Sequence, residues 1–147
     1  MTDQPTMFPD HAAEAERRIH EVLTGNKPWP LPNEARAVLR ILRDHKGARN
    51  AISIAALTEK TGLDAREVKE QVRSLVVDFK LKICGSRVQP YGYYVATSSE
   101  EIEAGIRPLY GEGVSLFRRV RALGGDQAVK EMEGQIRAAL DQEAVNG

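Results

Sequence analysis

The stretch "GLDAREVKEQVRSLV", Gly62 to Val76, decides how the chain is read, because its two faces ask for different surroundings. Leu63, Val68, Val72, Leu75 and Val76 recur at helical spacing and form an apolar inner face. Arg66, Lys69 and Arg73 share the outer face with Glu67 and Glu70. Asp64 stands at an N-cap position with Glu67 three residues on, the spacing of a capping box, so Glu67 already has a structural task at the helix start. Thr61-Gly62 before it supplies a tight turn, glycine being free to take the left-handed conformation.

Working outward, "ISIAALTEKTG" on the N-terminal side reads as a short helix capped by Ser53, with Leu57 as its central buried residue. Before it, Asn33 is placed to cap a helix through "EARAVLRILRDHK" whose face is Ala35, Val38, Leu39 and Leu42, and Gly47 is expected to end it. On the C-terminal side the period changes from helical to alternating. "KLKICG" sets Leu81, Ile83 and Gly85 against Lys80, Lys82 and Cys84, "SRVQPYG" has turn chemistry, and "YYVAT" reads as the returning strand of a hairpin.

The ends are helical as well. Residues 1–9 lack periodicity and are expected to be a flexible tail. Residues 10–32 read as a helix capped by Asp10, with Ala13, Ile19, Val22 and Leu23 as a weak stripe, followed by a Pro-rich connector that Trp29 would pin onto a core. Ser98 and Glu101 have capping-box spacing at the start of a long helix within residues 98–147. Ile102, Ile106, Leu109, Gly113, Leu116, Phe117, Val120 and Leu123 recur there at steps of one, three and four. Pro108, Gly111 and Gly113 predict a kink or break, Gly124-Gly125 a stop, and Asp126 the cap of a last helix with Val129, Met132, Ile136 and Leu140 on one side. The fold class is therefore mainly α with a small β-hairpin.

The totals narrow the function classes. The chain has 147 residues and no net charge, but residues 34–97 hold 12 Lys and Arg against 7 Asp and Glu, while the remainder holds 9 against 14. A basic module between acidic flanks admits a nucleic-acid partner without demanding one. The single cysteine, Cys84, excludes an internal disulfide and fits a cytoplasmic protein. No apolar run is long enough for a membrane span, and no secretory signal pattern opens the sequence. His11, His20 and His45 are dispersed, Cys84 has no nearby base, and "YGEGVS" lacks the lysine of a phosphate loop; no enzyme, metal or cofactor is expected.

Helix, helix, tight turn, helix and hairpin in residues 33–97 is the order of a winged helix-turn-helix domain, here with flanking N- and C-terminal helices. Leu57 lies five residues before Gly62, Val68 six after it and Val72 ten after it, which resembles the usual helix-turn-helix spacing, with Thr58 where alanine is commonest. "VRSLVVDFKLKICGSR", "GYYVATSSEEIEAGIRPL" and "SLFRRVRAL" extend the likeness to a winged-helix family of prophage and bacterial origin, over residues 52–123. In that family a Gly-Tyr-Tyr wing strand leads through a Ser/Thr-capped acidic turn into a long basic helix.

The resemblance implies double-stranded DNA as partner and transcriptional regulation as the role. It implicates Arg66, Lys69, Glu70 and Arg73 at base edges, Lys80 and Lys82 at phosphates, and Arg87 at the wing tip with Gln89 and Tyr91 beside it. Tyr93 or Tyr94 is expected to pack in the strand. Arg118, Arg119 and Arg121 either touch flanking phosphates or solvate their helix. The C-terminal stripes either pair two subunits in a homodimer or fold back on their own domain. The rival class is a winged-helix protein–protein interaction module, a phage replication or packaging accessory without DNA binding, which Glu67, Glu70 and the neutral total favour.

Overall fold

A computed structural model describes residues 10–146 and is mostly helical, with one two-stranded antiparallel hairpin. The expected tail, residues 1–9, lies outside the described residues. The order is α1 (His11–Thr24), α2 (Asn33–Leu42), a 3₁₀ turn (Ala48–Asn50), α3 (Ile54–Thr61), α4 (Ala65–Val77), β1 (Ile83–Ser86), β2 (Gly92–Val95) and α5 (Ser99–Asn146). No helix among the described residues is long and apolar enough to cross a membrane. The chain forms two compact units, Met1–Gly105 and Ile106–Gly147.

In the first unit the apolar faces converge on one core. Val38, Leu39 and Leu42 of α2, Leu57 of α3, Val68 and Leu75 of α4, and Phe79 after it are almost wholly buried. Ile19 and Val22 of α1 and Leu31 of the connector join the same cluster. The N-terminal segment is thus part of the core and not a separate appendage, and the unit runs past residue 97 to Gly105. Trp29 stays 47% exposed, yet its ring meets Phe79 edge-on with centroids 5.6 Å apart, pinning the connector as its position suggests.

Local chemistry accounts for most of the helix ends. Asp10 accepts from the Ala13 amide and Ser53 from the Ala56 amide. Asp64 and Glu67 complete the capping box of α4. Gly62 closes α3 at φ 76°, in the left-handed region. Asn33, however, is already helical: Pro32 takes the cap position, its carbonyl accepts from the Arg36 amide at 2.9 Å, and no side chain caps α2.

Three other ends depart from expectation for tertiary reasons. α2 stops at Leu42, well before Gly47, because residues 45–47 pair with the second strand: the Val95 amide donates to His45 O and the Gly47 amide to Val95 O. β1 begins at Ile83, not at Lys80, because Lys80 turns left-handed (φ 61°) and the Leu81 amide returns to Leu75 O to close α4. Leu81 and Ile83 nevertheless point inward. Glu101 does not return to the Ser98 amide as a capping box requires. Its carboxylate accepts from the Thr97 amide at 2.8 Å and from the Ala48 amide at 2.6 Å, tying the 3₁₀ turn to the base of α5.

The hairpin pairs Ile83 with Val95, Cys84 with Tyr94, Gly85 with Tyr93 and Ser86 with Gly92. A third, one-residue rung comes from Ile52, whose amide and carbonyl both bond Tyr93 at 2.9 Å. This crossing explains the glycine of Gly-Tyr-Tyr. Gly92 has φ 130°, and a Cβ there would run into the Ile52 carbonyl and the Ser53 backbone.

The second unit continues α5. Helical geometry passes through Pro108, Gly111 and Gly113, so the helix does not break there; the sole non-helical residue inside α5 is Gly125 (φ 77°, ψ −171°). Proline's fixed φ is itself helical, and the Ala104 carbonyl it leaves unpaired belongs to an exposed residue, so water can satisfy it. The expected stop at Gly124-Gly125 divides α5 into arms 99–124 and 126–146, whose facing residues line a cleft.

Two expectations test this packing. Gly92→Ala should lower unfolding free energy by on the order of 3 kcal/mol or more, read by urea denaturation, since neither backbone can yield without losing the Ile52–Tyr93 rung. The second concerns acid. Burial pushes the Glu101 carboxyl up, but the Ala48 and Thr97 amides and the Thr97 hydroxyl outweigh it and hold the group below its ordinary 4.5. A depressed carboxylate stabilises the fold fully above its unfolded pKa, and that contribution disappears as pH falls through the depressed value. Between about pH 5 and pH 3 the melting temperature should therefore fall less in Glu101→Gln than in the native chain, from a lower start at neutral pH.

Candidate nucleic-acid interface

α3 and α4, joined by the Gly62 turn, pack together through Leu57, Val68 and Val72, all buried. Thr58, at the position where alanine is usual, is half-buried and donates its hydroxyl back to Ala55 O at 2.7 Å, so it leaves no unmet polar group. Because α4 spends Val68, Val72 and Leu75 on the core, its opposite face must meet solvent. Arg66, Lys69, Glu70 and Arg73 lie there at helical intervals of three and four, and with Ala65 they line one shallow open groove.

This face is basic but not uniformly so. Arg66 Nε donates to Glu70 at 3.2 Å, with side chains 88% and 60% exposed. Such an exposed pair is cheap to open, on the order of 0.2–1 kcal/mol. Lys69 and Arg73 make no ion pair among the described residues. Glu67 is taken up by the Asp64 amide, at 3.4 Å, in the capping box.

The hairpin presents Arg87, Val88, Gln89, Pro90 and Tyr91 at its exposed tip. Ser86 Oγ donates to Val88 O at 2.6 Å and shapes that turn. Tyr91 is 58% exposed, which settles its position if not its task, whereas Tyr94 is buried and Tyr93 half-buried against the core. The Tyr94 hydroxyl is pushed up to about 12, first by burial and then by neighbouring Cys84 and Glu101. Burial likewise raises the Cys84 thiol, which keeps it an uncharged group packed beneath Gly105.

Lys80 and Lys82 stand elsewhere. They line a small cleft with His11, Glu14 and Arg18 of α1, over a floor of Ile19, Leu81, Ile83 and Val95. Lys80 Nζ donates to Val77 O at 2.8 Å, at the end of α4, and Arg18 donates to Phe79 O at 3.1 Å. His11 bonds Ser99 Oγ through Nε2 at 3.1 Å, while its buried Nδ1 has no partner among the described residues. No pattern in the sequence announces this meeting, since its members come from segments about seventy residues apart. A second junction of the same kind is Glu16, which accepts from Arg43 at 2.7 Å and from Lys46 and binds α1 to the end of α2.

The seven residues singled out from the sequence thus fall into three places: Arg66, Lys69, Glu70 and Arg73 on the outer face of α4, Arg87 at the hairpin tip, and Lys80 and Lys82 beside α1. No family model matches the chain, and neither a curated protein nor a solved structure is found to be similar to it.

Proposed function

We propose that the protein binds duplex DNA non-covalently, with α4 in the major groove and the hairpin as a wing, and that it serves as a transcriptional regulator. The observation that carries this reading is the division of α4. One face is consumed by the core, and the other offers Arg66, Lys69 and Arg73 in one row on the second helix of a helix–turn–helix. Guanine O6 and N7 accept from arginine, and cytosine N4 donates to a carboxylate such as Glu70. Arg87 at the exposed tip suits a phosphate or the minor groove.

The Arg66–Glu70 pair favours a second reading, in which this face meets a protein instead. An acid in the middle of the row weakens attraction to any phosphate chain, whereas a protein surface can answer both signs.

A labelled random duplex at low salt, followed by fluorescence anisotropy through a salt titration, separates the two. DNA binding predicts affinity that falls steeply with salt, and each of Arg66→Ala, Lys69→Ala and Arg73→Ala should weaken it. Against a selected specific site the arginine variants should each cost roughly 1–3 kcal/mol. Glu70→Gln should strengthen random-duplex binding by removing a like charge to phosphate. Lys80→Ala and Lys82→Ala, beside α1, measure phosphate contact from that side. No binding at low salt would favour the protein-interaction reading.

A further inference from the structure

Of residues 106–145 none is buried. The half-buried ones are Pro108, Gly113, Val114, Phe117 and Val120 on the first arm and Ala128, Val129 and Met132 on the second, and of these Gly113, Val114, Phe117 and Val129 line the cleft between the arms. The arms are also opposite in charge. Within residues 106–124 the first carries Arg107, Arg118, Arg119 and Arg121 against Glu112; the second carries Asp126, Glu131, Glu133, Asp141 and Glu143 against Lys130 and Arg137.

That internal contact leaves Ile106, Leu109, Leu116 and Leu123 of the first arm exposed, on an apolar seam that it covers only in part. Ile106, Leu109, Gly113, Leu116, Val120 and Leu123 alternate at steps of three and four, the a and d positions of a heptad. Ile106 is 54% exposed, Leu109 63%, Leu116 57% and Leu123 90%. A seam of this regularity is the signature of a helix that packs along another helix, and isolated exposure of four such residues in one line is not an ordinary solvent face.

The seam is complementary to itself when turned end for end. In an antiparallel pair Ile106 falls opposite Leu123 of a second copy, Leu109 opposite Val120, and Gly113, which has open space around it, opposite the bulkier Leu116. The flanking charges follow the same symmetry: Glu112 of one copy lies beside Arg119 of the other, twice over. A parallel pair sets Glu112 against Phe117 and gains no ion pair. We infer that residues 106–123 form an antiparallel two-fold helix pair with a second copy of this chain, cemented by the seam and by reciprocal Glu112–Arg119 contacts. Such an isologous contact closes on itself and yields a dimer, not a filament.

The test measures oligomeric state by light scattering on the full chain, without DNA, so its outcome is independent of the DNA-binding reading. The native chain at tens of micromolar should be a dimer, and Leu116→Glu should be monomeric. Glu112→Arg and Arg119→Glu, both exposed helix-to-helix replacements, each create two like-charge pairs and should weaken dimerisation about tenfold or more. An equimolar mixture of the two variants should form a mixed dimer as tightly as the native chain, and the double variant Glu112→Arg/Arg119→Glu should recover the homodimer. Circular dichroism checks that helicity is retained. A monomeric native chain, single charge variants that dimerise unchanged, or a mixture that fails to pair would each overturn the inference, a monomer meaning that the seam meets some other partner.

Discussion

The backbone of Ile52 passes so close to Gly92 that no side chain fits between them, and the paired hydrogen bonds between Ile52 and Tyr93 hold that crossing. Everything about the proposed interface depends on it. Ile52 lies next to Ser53, the cap of α3, so the rung fixes the start of the α3–α4 pair to the hairpin. The neighbouring Gly47–Val95 and Val95–His45 bonds do the same for the end of α2. A two-stranded hairpin by itself is marginal in water. Here its second strand is held by two further segments of backbone and by Tyr94 and Val95 in the core.

α4 shows how one helix divides its duties. Its cap residues, Asp64 and Glu67, satisfy each other's backbone. Its inner aliphatics hold it against α2 and α3. What remains outside is three bases and one acid, with Arg66 and Glu70 already in contact. In the proposed DNA complex the acid would work as a filter, lowering attraction to phosphate in general and rewarding a partner that offers Glu70 a donor.

The second unit poses the opposite problem. Two arms meeting at Gly125 shield part of their apolar surface near the bend, and the rest stays in water. Two long helices with no buried residue between them are poorly supported as an isolated element, since helical stability in proteins comes chiefly from tertiary packing. In the proposed dimer the first arm's seam, with Leu109 and Leu116 exposed along it, would answer that deficit with the same sequence in a second copy.

Much of this was legible in the residues alone, wherever a short-range signal carried the information. Capping by Asp10, Ser53 and Asp64, the left-handed turn at Gly62, the inner stripe of α4 and the break at Gly124-Gly125 are set by groups within four residues of one another. The outer row of Arg66, Lys69, Glu70 and Arg73 follows from the inner one by helical geometry. The tertiary structure decided what depends on distant partners. It ended α2 early because the second strand claims residues 45–47, and it sent Glu101 to Ala48 instead of its own cap. It placed Lys80 and Lys82 beside α1, and it made Gly92 indispensable through backbone forty residues upstream. Sequence periodicity reports which face of an element is apolar; only the packed chain shows which surface that face meets.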